Sequence, residues 1–340
     1  MQKKTFFGNT QSGEPVYRYT LTNINGMQAD IMTLGCTLTS LIVPAKNGPV
    51  DVCLGYDTPS EYEQHRTFFG AICCRFANRI AEGKFKLHGK SYQLAVNDGP
   101  NHLHGGPNGF AFRVWDVAEA DTQHVTFTRV SSDGEEYYPG NLRVSVTYTL
   151  DDDNTLSIRY DAISDADTIL NLTNHAYWNL NGHDSGSVEH HTLTLPASYY
   201  CPTDSHALVT GELADVTDTP FDFRTKQMIG SRIDTADVQL SYGLGYDHCY
   251  LLDGEEPVRL VGDRTGIELA VSTDLPAIQL YTANQLAAHK GKNGAVYELR
   301  AAVCLETEQV PDAPNKPQFP SAVLKADEPF VSVTKHHFTF

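Results

Sequence analysis

From Leu142 the apolar side chains fall on every second residue: Leu142, Val144, Val146, Tyr148 and Leu150. After Asp151-Asp152-Asp153-Asn154 the alternation resumes at Leu156, Ile158 and Tyr160. A period of two puts these side chains on one face of an extended chain, and the polar break supplies a turn, so the segment predicts a β-hairpin with one buried face. Shorter runs of the same kind occupy residues 17–21, 38–43, 125–130, 192–195, 268–272, 278–281 and 331–340, separated by clusters of Gly, Pro, Asn and Asp. Helix signals are few. The best is Thr58-Pro59-Ser60-Glu61. Its threonine can cap, its proline fits the first helical position and its glutamate can reach back, opening about two turns through His65. The pattern predicts an all-β, antiparallel fold with a few short helices. No fixed-period repeat, low-complexity tract or linker-like shift interrupts it, so residues 1–340 are expected to form one large β-sandwich domain.

Composition narrows the ligand class. A chain of 340 residues with 41% hydrophobic and 10% aromatic side chains can fill a core without cross-links. Its 42 acidic against 25 basic side chains give a formal charge of −17. Such a field repels nucleic acid, anionic membranes and strongly anionic substrates, and suits a neutral ligand. Seven cysteines, an odd number without CxxC spacing, read as reduced thiols rather than as a disulfide framework or a zinc site. The start, MQKKTFFGNTQSGEP, has too short an apolar run for a signal peptide, and no stretch approaches the roughly 18 apolar residues of a membrane span. A soluble cytoplasmic protein is the expectation.

Three strings carry titratable groups in unusual company: His104 in NHLHGGPNGF, His175 in NLTNHAYWNLNG and Glu306 in LETEQVPDAPN. Glu306 follows the apolar run Ala301 to Cys304, which predicts a place at a strand end, where partial withdrawal from water would raise its pKa into the range of a general base. By residue type alone, Glu308 is an equal candidate and a surface glutamate an equal outcome. His175 stands among Thr173, Asn174, Tyr177, Trp178 and Asn179. Flat rings pack on the C–H face of a pyranose while amides and imidazoles bond its hydroxyls, so this mixture suits a sugar. A hydrogen-bonded core histidine beside a structural tryptophan fits the string as well. His102 and His104 flank Leu103 and would share one face of a strand, ahead of a Gly105-Gly106 turn that lets backbone approach a ligand. A zinc site would need further ligands from His183, His190, His191, His248 or acids, and no HExxH or paired-cysteine spacing supports one. Arg79 in RFANRIAEG and Asp247 in GYDHCYLL offer a fork of donors and a pair of acceptors, or ordinary surface charge. Gln279 in AIQLY shares a strand face with Tyr281, opposite Ile278 and Leu280, and needs polar partners there.

Together, in this order and at these separations, RFANRIAEG, HLHGG, NLTNHAYWNL, GYDHCYLL, LPAIQLYTAN and LETEQVPDAPN resemble the aldose 1-epimerase (galactose mutarotase) family nearly end to end. The resemblance implies a galactose mutarotase-like antiparallel supersandwich with a shallow sugar cleft and no metal or organic cofactor, acting on a neutral monosaccharide as a monomer or homodimer. Position by position, Glu306 matches the family's catalytic base, His175 its catalytic acid and His104 its second active-site histidine. Asn78, Arg79, Asp247 and Gln279 match the sugar-binding positions, and His102, Glu308 and His248 become secondary. Two places depart from the family pattern: Ala111 and Phe112 stand where many relatives have an Asp-Lys pair, and Cys73-Cys74 where small residues or glycine are common. Both bear on substrate preference. A hexose-6-phosphate 1-epimerase and a non-catalytic sugar-binding protein on the same fold are the alternatives.

Overall fold

The computed structural model describes residues 3–340. The hairpin read from the alternation is present as strands Leu142–Leu150 and Thr155–Ser164, paired antiparallel from Leu142↔Ser164 to Leu150↔Leu156. It lies inside a nine-stranded sheet ordered Asp116–Ala120, His124–Ser131, Leu142–Leu150, Thr155–Ser164, Phe330–Thr339, Glu268–Thr273, Val258–Val261, Thr192–Thr194 and Gln227–Met228. A six-stranded sheet runs Tyr177–Trp178, Val303–Glu308, Ala277–Tyr281, Asp247–Leu251, Tyr199–Tyr200 and Ala214–Asp215. The N-terminal meander, from Lys3–Asn9 to Gly48–Asp51, forms a separate five-stranded sheet. Neighbouring strands within each of these sheets are antiparallel, so the expected all-β sandwich is what folds.

The helix at Thr58 forms as read. It spans Pro59–His65, with Thr58 and Glu61 exchanging the reciprocal bonds of a capping box. A second short helix, Val238–Gly243, is capped by Asp237. All seven cysteines are free and buried.

The two larger sheets pack face to face, and this packing decides which side chains can be functional. Trp178 lies against His336 and Phe338 at ring separations of 5.4 and 5.8 Å. Thr307 Oγ1 and Thr334 Oγ1 are 2.6 Å apart in the buried seam. In Val303–Glu308 the odd residues therefore face the nine-stranded sheet, with Val303 and Leu305 in the main core. Alternation sends Glu306 and Glu308 to the opposite face. The same logic puts Ile278 and Leu280 in the core and Gln279 on the other side. The register sets Gln279 opposite Glu306, with Asp247 opposite Tyr281 on the next strand. Three neighbouring strands thus present Glu306, Gln279 and Asp247 on one face. Glu306 was expected at a strand end; it lies inside a strand whose six residues are all buried.

Candidate active site

Above that face opens a cleft of about 620 Å³. Its floor is Glu306, Gln279 and Asp247; its far wall is built from two short ladders. In the first, Thr173–Asn174 pairs with Ile72–Cys73, and the bonds from His175 N to Ala71 O (2.9 Å) and from Gly70 N to His175 O (2.8 Å) fix the next residue. In the second, His102↔Ile80 and Leu103↔Arg79 bring Asn78, Arg79 and His104 to one place. The structure therefore gathers all seven residues singled out by the family resemblance around a single cavity.

His102 and His104 do not share a face. His104 has left the strand with φ of +49°, and its ring enters the cleft. The His102 ring turns inward to Ala95 O and Tyr138 Oη, each at 2.7 Å. The next residue, Gly105, has φ of +81°, and a Cβ there would sit 2.0 Å from the carbonyl oxygen of Cys74. Only glycine fits that approach, which holds the His104 turn down on the sandwich.

At the centre, His175 Nε2 lies 3.5 Å from Glu306 Oε1. Both side chains are buried. The imidazole is sandwiched, with Tyr177 stacked at 5.0 Å and 12° on one side and Phe68 at 6.0 Å and 18°. His104 approaches edge-on at 5.2 Å. Burial pushes the Glu306 carboxyl well above the ordinary range, helped by the neighbouring acids Glu308 and Asp247 and opposed by Arg79. Burial pushes His175 down to about 4 and holds His104 well below the ordinary imidazole range, the latter helped by His175 and Arg79. Asp247 is also raised by burial, with Arg79 and its bond from Gln279 acting against the rise. A carboxyl that resists ionising beside an imidazole that resists protonation favours a pair carrying one proton rather than two or none.

The polar groups around this pair are aimed but unfinished. Gln279 Nε2 donates to Asp247 Oδ1 at 2.7 Å, while Gln279 Oε1, Glu306 Oε2 and His175 Nδ1 are buried without a protein partner. Several orphaned polar atoms in one cavity are the mark of a site completed by a ligand. Arg79 Nε is held by Asp98 Oδ2 at 2.8 Å, leaving the two terminal nitrogens of the fork for other acceptors. Asn78 is more occupied. Its Nδ2 donates to Glu308 Oε1 at 3.0 Å and its Oδ1 accepts from Arg79 N at 2.9 Å. One Nδ2 hydrogen remains for a ligand.

Sequence reading missed Asp98, Phe68 and His289, all of which line the cleft. Phe68 sits in an irregular stretch and His289 in a two-residue strand, neither long enough for a period to expose it. Of the departures from the family pattern, Phe112 packs on Phe68 at 5.4 Å and under the Arg66 guanidinium at 4.5 Å, so it braces the rim. Cys73 and Cys74 are fully buried behind the wall.

His104, His175 and Glu306 place possible ligand atoms within 4.8 Å of one another, the geometry of a two-histidine, one-carboxylate metal site. The hydrogen bonding argues for a different use. A metal-bound imidazole normally donates its second N–H outward to an acceptor. Here Asn78 N donates to His104 Nδ1 at 3.1 Å, which leaves the neutral ring's proton on Nε2, where a metal would need a lone pair. The donor set suits proton transfer.

An open, aromatic-walled cleft centred on a close carboxyl–imidazole pair and fringed with unpaired polar atoms is the kind of site that suits a carbohydrate. Comparison with known proteins agrees. Residues 17–337 match the family model described as Aldose 1-epimerase. The chain is 40% identical to galactose mutarotase of Homo sapiens, over 99% of this chain and 98% of that one. It is 39% identical to aldose 1-epimerase of Haemophilus influenzae, covering 94% of each. Among solved structures, an aldose epimerase homologue from C. elegans superposes with a TM-score of 0.89 at 33% identity, covering 95% of this chain and 98% of the other. Galactose 1-epimerase from Lactobacillus acidophilus does so with 0.88 at 30%, covering 100% and 98%. The chain belongs to the aldose 1-epimerase family, and it is an isomerase that interconverts the anomers of a monosaccharide.

Proposed function

We propose that the substrate is a neutral aldose and that Glu306 and His175 open its ring as a general base and a general acid. The observation that carries this reading is the 3.5 Å separation of Glu306 Oε1 on the cleft floor and His175 Nε2 on its wall. The C1 hydroxyl and the ring oxygen of a cyclic aldose share one carbon, so two groups this close can address both at once. Glu306 takes the C1 hydroxyl proton as His175 delivers one to the ring oxygen; the C1–ring oxygen bond breaks and C1 becomes an aldehyde. Rotation about C1–C2 turns the other carbonyl face to the new hydroxyl. Closure with both protons returned gives the opposite anomer, and the protein ends as it began. His104 Nε2–H and Arg79 stabilise charge growing on the ring oxygen, and Asp247, Gln279 and Asn78 keep the open chain bound by its hydroxyls.

In this reading residues 1–340 act as one domain in the cytoplasm, as a monomer or homodimer, without a metal, an organic cofactor or a nucleic-acid partner. No helix among the described residues is long and apolar enough to cross a membrane. The lining supports a neutral substrate. Two arginines, Arg66 and Arg79, face three carboxyl groups, Asp98, Asp247 and Glu306, and Arg79 is already paired. A sugar phosphate dianion would find little unspent positive charge there.

Polarimetry across galactose, glucose, arabinose, xylose and glucose 6-phosphate tests the reading. Anomer equilibration well above the buffer rate on a neutral aldose is expected. A faster rate on the phosphate, or no acceleration on any sugar, overturns it. The Asp98–Arg79 pair gives a second expectation. Asp98→Ala frees the guanidinium fork and should lower kcat/KM about tenfold, mostly through KM, because bound hydroxyls lose an oriented donor.

A further inference from the structure

We propose that Glu308 is a positioning residue of this site: its carboxyl group holds the Asn78 side chain, and through Asn78 it fixes the ring of His104. The inference rests on the functional reading above. Glu308 lies two residues beyond Glu306 on the same strand face, fully buried. Its Oε1 accepts from Asn78 Nδ2 at 3.0 Å. Asn78 sits in the left-handed region with φ of +62°, which asparagine enters more readily than most residues with a side chain. That conformation aims its peptide N–H at His104 Nδ1 (3.1 Å), while His104 N donates back to Asn78 O (3.1 Å). The chain of contacts joins the strand of the base to the turn that carries the second histidine. It also reaches Arg79, whose N–H closes on Asn78 Oδ1 at 2.9 Å.

The chemistry calls for an uncharged group at 308. Glu308 Oε2 has no partner, and the titratable groups that act on it or feel it are acids: Asp247 two strands away in the same sheet, the thiols Cys73, Cys201 and Cys249, and Glu306 on its own strand. Burial holds the carboxyl proton on, against the bond from Asn78 that favours the anion. A neutral acid accepts from Asn78 as an amide would, and adds no charge beside the base.

Glutamine should therefore replace Glu308 and leucine should not. Glu308→Gln is expected to keep kcat/KM within about threefold, with both limbs of the pH profile unmoved. Glu308→Leu leaves the Asn78 amide without its acceptor and is expected to lose tenfold or more, in kcat rather than KM. Long-range ¹H–¹⁵N spectra of the histidine rings supply a readout that loss of packing alone would not move. In the wild-type protein His104 should be the tautomer protonated at Nε2, and in Glu308→Leu that preference should relax. Wild-type rates from Glu308→Leu, an acidic limb displaced in Glu308→Gln, or His104 protonated at Nδ1 in the unaltered protein would each overturn the proposal. The last needs no variant to fold. Failure of the functional reading is distinct: it would show as wild-type protein that does not accelerate equilibration of any aldose.

Discussion

Glu306→Gln is expected to lower kcat by about 10²–10⁴-fold, the range of a single general base. Glutamine keeps the length, the shape and one acceptor oxygen of the glutamate, so the sugar should still bind and KM should change little. What disappears is the only group at that point able to take the C1 hydroxyl proton. The residual rate should also change its pH dependence. With the base gone, only the acid half remains, and it requires a proton on His175, which burial holds down to about 4. Blank-corrected activity should then rise as pH falls toward that value. Stability should move the other way. The folded-state pKa of Glu306 is raised by burial, so its contribution is present below the ordinary carboxyl range and is lost as pH rises through the folded value. Glutamine cannot ionise. The variant should melt with the wild type in acid and above it in alkali, by scanning calorimetry at matched ionic strength. A variant that retains the wild-type rate would move the base elsewhere, and Asp247, also buried with a raised pKa, would be the first candidate.

How much of this was legible in the sequence depends on what each residue's neighbours are. Period-two alternation reports a strand with one wet face, which is why Leu142–Leu150 and its partner were readable. Val303–Glu308 is covered on both faces, one by the nine-stranded sheet and the other by the cleft wall. There the polar residues at 306 and 308 mark the cleft side, yet along the chain they look like a strand running out into solvent. His102 and His104 went wrong for a local reason: the backbone reverses sign of φ at His104, and two residues read as co-facial part company. Asp98 carries no local signal at all. It matters because the ladder at Leu103↔Arg79 brings the arginine within its reach, a long-range consequence of pairing. The strings around His104, His175 and Glu306 were legible through their company of glycines, amides and rings. The resemblance then selected among candidates of equal type, Glu306 over Glu308 and His104 over His102. In the structure Glu306 faces the imidazole, Glu308 faces Asn78, and His102 is satisfied inside the wall.

His175→Asn should be as damaging as the loss of the base, again about 10²–10⁴-fold in kcat, but with the opposite pH signature. In the wild-type protein the active state carries one proton on the Glu306–His175 pair, so activity should be bell-shaped. It falls in acid as a second proton arrives, and in alkali as the shared proton leaves. Asparagine at 175 can hydrogen-bond the ring oxygen but cannot give it a proton. The remaining catalysis belongs to the Glu306 carboxylate, whose population grows as pH passes the raised folded pKa. The residual rate should therefore climb with pH across the range where the wild-type rate declines, and then level off. The stacked contacts with Tyr177 and Phe68 are lost as well, at a cost on the order of 1–2 kcal/mol, so a melt must show the variant folded at the assay temperature. If both single variants kept a bell of wild-type shape, the two groups would not be sharing the proton, and the 3.5 Å contact between cleft floor and wall would be a packing feature rather than the acid–base pair. Opposite monotonic profiles from the two variants, meeting where the wild-type bell peaks, would tie both roles to that one contact.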